Sequence, residues 1–356
     1  MSIQRNLPKS LLSLSCAAAI SLSAVSGQAL AAPLDLSDQP LFQKTGVAPN
    51  FIIILDDSGS MSWNYMPNDR SNSWNRRFYS IAFNAMAYDP TVEYLLPLDE
   101  NGAELDANGT SADTNFTAYD NGFTQNNLRN LGTSYPNNIG NSAAFYAQFD
   151  NTNNNCNGSI WDNDCYDEIT VTATTAPTGV NGFLNFARWY AFYRTRQLAT
   201  ITAASRTMHN LGTGIRIGWQ SLNNPVDTST NPDTWLRTVR TFQGAHRTSF
   251  YSWLFNLPAS GGTPLRSAVQ RAGEYYRTAQ PYYNDPADSN SGSYSCRPNY
   301  HLLMTDGQWN GWLGDNGPGN ADNTATTLPD GTAYTPMSPY RDTNSGRSGG
   351  WFWPFY

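Results

Sequence analysis

Residues 51–61 read FIIILDDSGSM. Ile52 to Leu55 form an unbroken apolar run. Pro49-Asn50 precede it, and a polar turn containing Gly59 follows. Such a run predicts a strand buried on both faces, as in a parallel sheet covered by helices. Asp56, Ser58 and Ser60 alternate at its carboxyl end. In an extended turn, alternate residues point the same way. One carboxylate and two hydroxyls are therefore expected to converge where open α/β sheets hold their ligands. Hard oxygen donors suit Mg²⁺, Mn²⁺ or Ca²⁺ better than a thiophilic metal. Asp-Ser-Gly-Ser alone is also ordinary turn and capping chemistry.

Two later stretches weigh against coincidence. In Gly261-Gly262-Thr263-Pro264-Leu265, Thr263 is expected to cap a helix and Pro264 to be its first residue. Tyr300 to Met304 predicts a second buried strand, closed by Thr305-Asp306-Gly307. Asp-x-Ser-x-Ser, then a loop Thr, then a strand-end Asp resembles the metal-ion-dependent adhesion site of von Willebrand factor A domains. The resemblance implies an α/β fold with a mostly parallel central sheet flanked by helices. It makes Ser58, Ser60 and Thr263 direct ligands, with Asp56 and Asp306 acting mainly through water. The implied cofactor is a divalent cation, Mg²⁺ or Mn²⁺ first and Ca²⁺ second.

The amino-terminal residues 1–31 read as a secretory signal. Arg5 and Lys9 make a basic start, Leu11 to Val25 is apolar and short, and Ala29-Leu30-Ala31 fits a cleavage site. Ser13 stands where a lipoprotein signal ending at Cys16 would want Leu. No later run is long and apolar enough to span a bilayer. Cleavage would remove two positive charges and change the formal net charge from −7 to −9. An acidic chain with scattered Arg argues against nucleic acid or an anionic membrane as the main partner. Cys156 and Cys165 enclose a short Asn/Asp-rich loop and are expected to form a disulfide in an oxidising compartment, which leaves Cys296 over.

The mature 325 residues (356 − 31) suffice for one large domain or two small ones, and residues 32–340 are taken as one domain. Phe78, Ile81, Ala82, Ala85 and Met86 have helical spacing within 75–98, and Val92 to Leu96 suggests a short strand. Residues 99–180 are rich in Asn and keep no hydrophobic period, which predicts a loop-rich surface insertion. Its acidic clusters, such as Asp99-Glu100-Asn101 and Asp162-Asn163-Asp164, lack the full spacing of a Ca²⁺ cage and read as solvated turns. Gly182 to Asn210 predicts one long helix. Residues 215–219 predict a strand nearer the sheet edge, and Thr248 to Leu257 a short helix. His246 and His301 are isolated and read as ordinary structural histidines.

Several stretches together resemble the PilY family of type IV pilus tip-associated adhesins and biogenesis proteins. They are PLDLSDQPLF, PNFIIILDDSGSM, Tyr88-Asp89-Pro90, NFARWYAFYRTRQLATITAA, SGGTPLRSAV, HLLMTDGQWNG and SPYRD. The resemblance implies an exported protein of the periplasm, outer-membrane surface, pilus tip or medium. Its implied partners are minor or major pilins, other tip proteins, and a host or surface ligand with an exposed carboxylate. Family members continue into a β-propeller. This chain passes instead into an irregular aromatic tail, 341–356, and is expected to be a fragment or truncated product. The alternative function is a pilus-priming docking module whose metal only braces the loops. Enzyme activity is not expected: no predicted strand leads into a Gly-x-Ser-x-Gly elbow, and no His is marked as a base.

Overall fold

The computed structural model describes residues 46–66, 75–106, 116–223, 236–307, 325–327 and 333–335. The expected signal, leader, aromatic tail and the segments after Gly307 that carry QWN and SPYRD lie outside these residues.

Strand β1 (Asn50–Leu55) is the apolar run of the opening motif. The insertion follows, with hairpins β2 (Thr117–Asn121) with β3 (Asn126–Asn130) and β4 (Phe145–Phe149) with β5 (Tyr166–Thr170). Helices α1 (Gly182–Phe192) and α2 (Arg196–His209) lead into β6 (Arg216–Ser221) and β7 (Arg237–Thr241). Helices α3 (Gly244–Phe255) and α4 (Leu265–Tyr276), then the small hairpin β8 (Tyr283–Asp285) with β9 (Asp288–Ser293), precede β10 (Asn299–Met304).

The main sheet has the order β10-β1-β6-β7. Both neighbours of β1 run parallel to it, with Ile53 opposite Leu302 on one side and Trp219 on the other. β7 runs antiparallel to β6, and their register shifts between Ile217 and Trp219. A Cβ on Gly218, inside that irregularity, would lie 2.4 Å from the Arg237 carbonyl oxygen, so the close strand approach requires glycine there.

Side chains alternate across a strand, and β1 uses both faces. Ile53 and Leu55 pack with Ile201 and Met208 of α2 and with Phe250 and Leu254 of α3. Ile52 and Ile54 pack with Val239 of β7 and with Ala268, Ala272 and Tyr275 of α4. The helix that leads into β6 and the helix that precedes β10 thus cover opposite faces. Counted along the chain, the four sheet strands stand in the spatial order 3-2-1-4, as in the first four strands of a doubly wound fold. The expected α/β class holds.

Several local expectations do not. The 75–98 stretch forms only a 3₁₀ turn, Arg76–Tyr79, followed by turns and loop. Asn84 supplies the competing bonds: its side chain donates to the Asn64 and Phe78 carbonyls and accepts from the amides of Met66 and Met86. Val92 to Leu96 is not a strand. Side chains of α1, of its C-cap Tyr193 and of α2 bond its backbone instead: Asn185 accepts from Tyr94 N, Tyr193 donates to Leu95 O, and Arg206 donates to Leu96 O. The long helix 182–210 is two helices. Thr195 breaks it as the N-cap of α2, its hydroxyl accepting from Leu198 N at 3.2 Å.

The insertion also has a core of its own. Phe116, Ala118, Leu131, Phe145 and Val171 are buried against Phe186 and Tyr190 of α1. Aromatic and Ala side chains spaced by single polar residues carry this burial, so it shows no helical period. β6 is interior, because β7 covers its far side. β10, like β7, is an edge strand among the described residues, with Tyr300 and Leu302 exposed rather than buried. No described helix is long and apolar enough to cross a membrane.

Candidate metal centre

The switch point of this sheet lies between β1 and β10. There the chain leaves β1 for one side and β10 lies on the other, which opens a crevice at the carboxyl ends. Asp56 follows β1, and Thr305-Asp306 follow β10. Asp56 N donates to Met304 O at 3.0 Å, so the ladder carries the two strand ends out together. Thr305 donates its hydroxyl to Asp56 Oδ2 at 2.7 Å, while Asp56 Oδ1 accepts from Ser58 N at 2.7 Å. Asp56, Ser58 and Thr263 are 0%, 1% and 2% exposed, burial that polar groups tolerate only when bonded or ligated.

Ser58 Oγ and Ser60 Oγ lie 3.0 Å apart. The two hydroxyls expected to converge do so, because Gly59–Ser62 closes a 3₁₀ turn that folds Ser60 back. The loop carrying Thr263 is tied to the same turn. Gly59 N donates to Gly261 O at 3.1 Å and Ser260 N to Asp57 O at 2.7 Å. Gly261 has φ +100° and an Asn223 side chain 2.8 Å from where its Cβ would be, so the turn requires glycine. Thr263 does not cap α4. The helix begins at Leu265 with Pro264 as N-cap, and Leu265 N is held by the Thr263 carbonyl at 2.9 Å.

The three sequence-distant pieces, Asp56 to Ser60, Thr263 and Asp306, therefore meet at one sheet edge. Their donor set of hydroxyls and carboxylates fits a hard divalent cation. Ser58, Ser60 and Thr263 would hold it, and Asp56 and Asp306 would hold its waters.

Sequence reasoning passed over three groups here. Arg196, at the first turn of α2, forms an ion pair with Asp306, Nη1 to Oδ2 at 2.5 Å, with both side chains nearly buried. Its Nε and Nη2 donate to Tyr65 O at 2.9 and 2.7 Å, and Trp63 lies under the guanidinium at 5.0 Å. Only its place directly after the helix-breaking Thr195 hints at this. Asp57, beside the motif, accepts from Asn223 N and Nδ2 at 3.0 and 2.8 Å and so braces the β6 loop. Thr305 fixes Asp56 from the neighbouring strand.

Away from this edge, Cys156 and Cys165 form the expected disulfide, and Cys296 is a free, exposed thiol. His246 packs on Trp219 with Nε2 2.6 Å from Ile217 O, a structural role, and His301 is exposed. Asp99 accepts from Asn101 N and Ala103 N, and Asp162 from Asn157 N and Asp164 N. Both are the turn bonds expected of solvated loops.

The chain is 37% identical over 339 residues to the type IV pilus biogenesis factor PilY1 of Pseudomonas aeruginosa strain PAK, a match covering 88% of this chain and 28% of that protein. Against the same factor of strain PAO1 the identity is 37% over 364 residues, covering 96% and 30%. For strain UCBPP-PA14 it is 35% over 352 residues, covering 95% and 29%. The chain is related to the PilY family. It spans less than a third of the length of these PilY1 relatives. No family model matches the chain, and no solved structure matches it significantly.

Proposed function

We propose that this region is a von Willebrand factor A-like module of an exported, pilus-associated protein. It binds a partner carboxylate through a divalent cation held by Ser58, Ser60 and Thr263. The observation that carries the reading is the Ser58–Ser60 hydroxyl pair, with Ser58 buried, on the turn that follows β1 at the switch point beside the strand end that carries Asp306. Hydroxyl ligands leave a bound cation poorly neutralised, so an incoming carboxylate can complete its coordination. Arg196 neutralises Asp306, which lowers the negative charge that a carboxylate would meet.

The relatives' name, biogenesis factor, supports a role in pilus assembly, with pilins or other pilus components as partners. The rival in which a cation merely braces the loops is less well supported. Asp57 with Asn223, Gly59 with Gly261, and Thr305 with Asp56 already tie those loops by direct bonds. The relatives and the hydrogen-bonded serine pair favour binding over turnover.

Thermal unfolding of the chain with Mg²⁺, Mn²⁺, Ca²⁺ or EDTA, beside Asp56→Ala and Ser58→Ala, is the test. A cation at 100 times its Kd should stabilise the unsubstituted chain by about 2.7 kcal/mol and neither variant. Adhesion to piliated cells should be lost in both variants and in chelator. Cooperative unfolding indifferent to every cation, with adhesion intact in EDTA, would overturn the metal and leave the docking role.

A further inference from the structure

A cavity of about 410 Å³ opens beside the cluster. Met61, Met66, Met86 and Met304 line it together with Leu303, and Thr305 and Asp306 form its wall toward the metal centre. Four of the chain's seven methionines therefore surround one space. They come from four different places: the turn after β1, the loops at 66 and 86, and the end of β10. Met61 is buried at 3% exposed and Met66 is open to solvent at 48%. Methionine is unbranched and polarizable, and methionine-rich surfaces adapt to differing apolar partners. The volume lies within the range of ligand pockets.

The charges on the wall are already matched. Arg196 pairs with Asp306, and its remaining donors hold Tyr65 O. Among the described residues the wall thus offers no spare cation to an anion, which leaves the metal as the anchor for an anionic group entering here. We infer that the Met61–Met66–Met86–Met304 cavity is the second half of the binding site, taking a long, unbranched apolar group that lies next to the carboxylate bound at the cation. The partner segment is then an acidic residue flanked by a flexible apolar side chain, not an isolated carboxylate. This inference rests on the metal-dependent reading above.

Straight-chain carboxylates separate the two halves. Acetate, butanoate and hexanoate are titrated into the full chain with Mg²⁺, and binding is followed by ligand-observed NMR. Affinity should rise about fourfold per added methylene. Met66→Gln with Met86→Gln, and separately Met304→Gln, should flatten that rise and leave the metal-induced thermal shift unchanged. Met66 and Met86 lie at the loops, so their variant keeps the test open if Met304→Gln fails to fold. Metal-dependent binding that is equal for all three chain lengths would overturn the inference and leave the metal centre standing. A length dependence that persists in EDTA and in Asp56→Ala would overturn the coupling of the two halves and count against the metal as well. An unaltered length dependence in the methionine variants would place the apolar subsite elsewhere.

Discussion

Arg196 is the residue on which the acidic edge turns. Its guanidinium is buried with Asp306, and a buried pair is costly to break from one side because the survivor keeps an uncompensated charge. Arg196→Met should therefore lower unfolding stability by about 3–5 kcal/mol in urea titrations. The double variant Arg196→Met with Asp306→Asn should recover much of that loss, since neither charge then remains. A single variant within about 0.5 kcal/mol of the unsubstituted chain, the range of an ordinary surface substitution, would show that the pair is water-screened. Asp57 has a different task despite adjoining the motif. Its partners are the backbone and side-chain nitrogens of Asn223, so it fixes a loop and leaves the crevice to Asp56.

At the scale of elements, the break between α1 and α2 matters most. A continuous helix over 182–210 would carry Arg196 along the α1 axis. Instead the chain turns at Thr195, and Arg196 N donates to Trp63 O at 3.1 Å, which aims the side chain at Asp306. Losing the Thr195 cap should cost about 1 kcal/mol. Thr195→Ala measured against Thr195→Ser by chemical denaturation should show that difference, with Ser close to the unsubstituted chain. Equal stabilities would mean that the Trp63 bond alone sets the break. The insertion teaches a related point. Its hairpins bury Phe116, Phe145 and Val171 against α1, so it is a second layer of core built on a helix of the main domain.

Across the whole molecule, stability should fall on the alkaline side. Burial is the leading cause that raises the Tyr88 and Tyr251 hydroxyls to about 12, and it raises Tyr79, Tyr94, Tyr135, Tyr190 and Tyr276 as well. A group whose folded pKa is raised contributes stability that is complete below its unfolded value, about 10, and is lost as pH climbs through the folded value. Arg216 works the other way. Burial, and next the nearby Arg297, lower it to about 10, a penalty relieved as pH rises above that value. The tyrosines outnumber it, so the unfolding midpoint should drop steadily between about pH 10 and 12. Tyrosinate absorbance should appear together with unfolding; tyrosines that ionise well before the fold is lost would contradict their burial.

The sequence by itself determined what local pattern can encode. The run Ile52 to Leu55, which no polar residue interrupts, reads as a strand covered on both faces, and it is one. The Asp-x-Ser-x-Ser spacing led to the expectation that Ser58 and Ser60 converge, although a 3₁₀ turn rather than extended alternation brings their hydroxyls together. The short separation of Cys156 and Cys165 was equally legible. Tertiary structure alone decided what depends on neighbours distant in the chain. Asn84, Asn185 and Arg206 supply backbone bonds that replace the helix expected around Phe78 to Met86 and the strand expected at 92–96, and no local propensity records such partners. The interior place of β6 depends on β7 folding back beside it, and the exposure of Leu302 on β10 lying at the edge. The Arg196–Asp306 pair spans 110 positions, and the methionines meet from four separate segments. Periodicity reports which face a residue shares with its near neighbours; only the packing of whole elements brings such charges and side chains into one crevice.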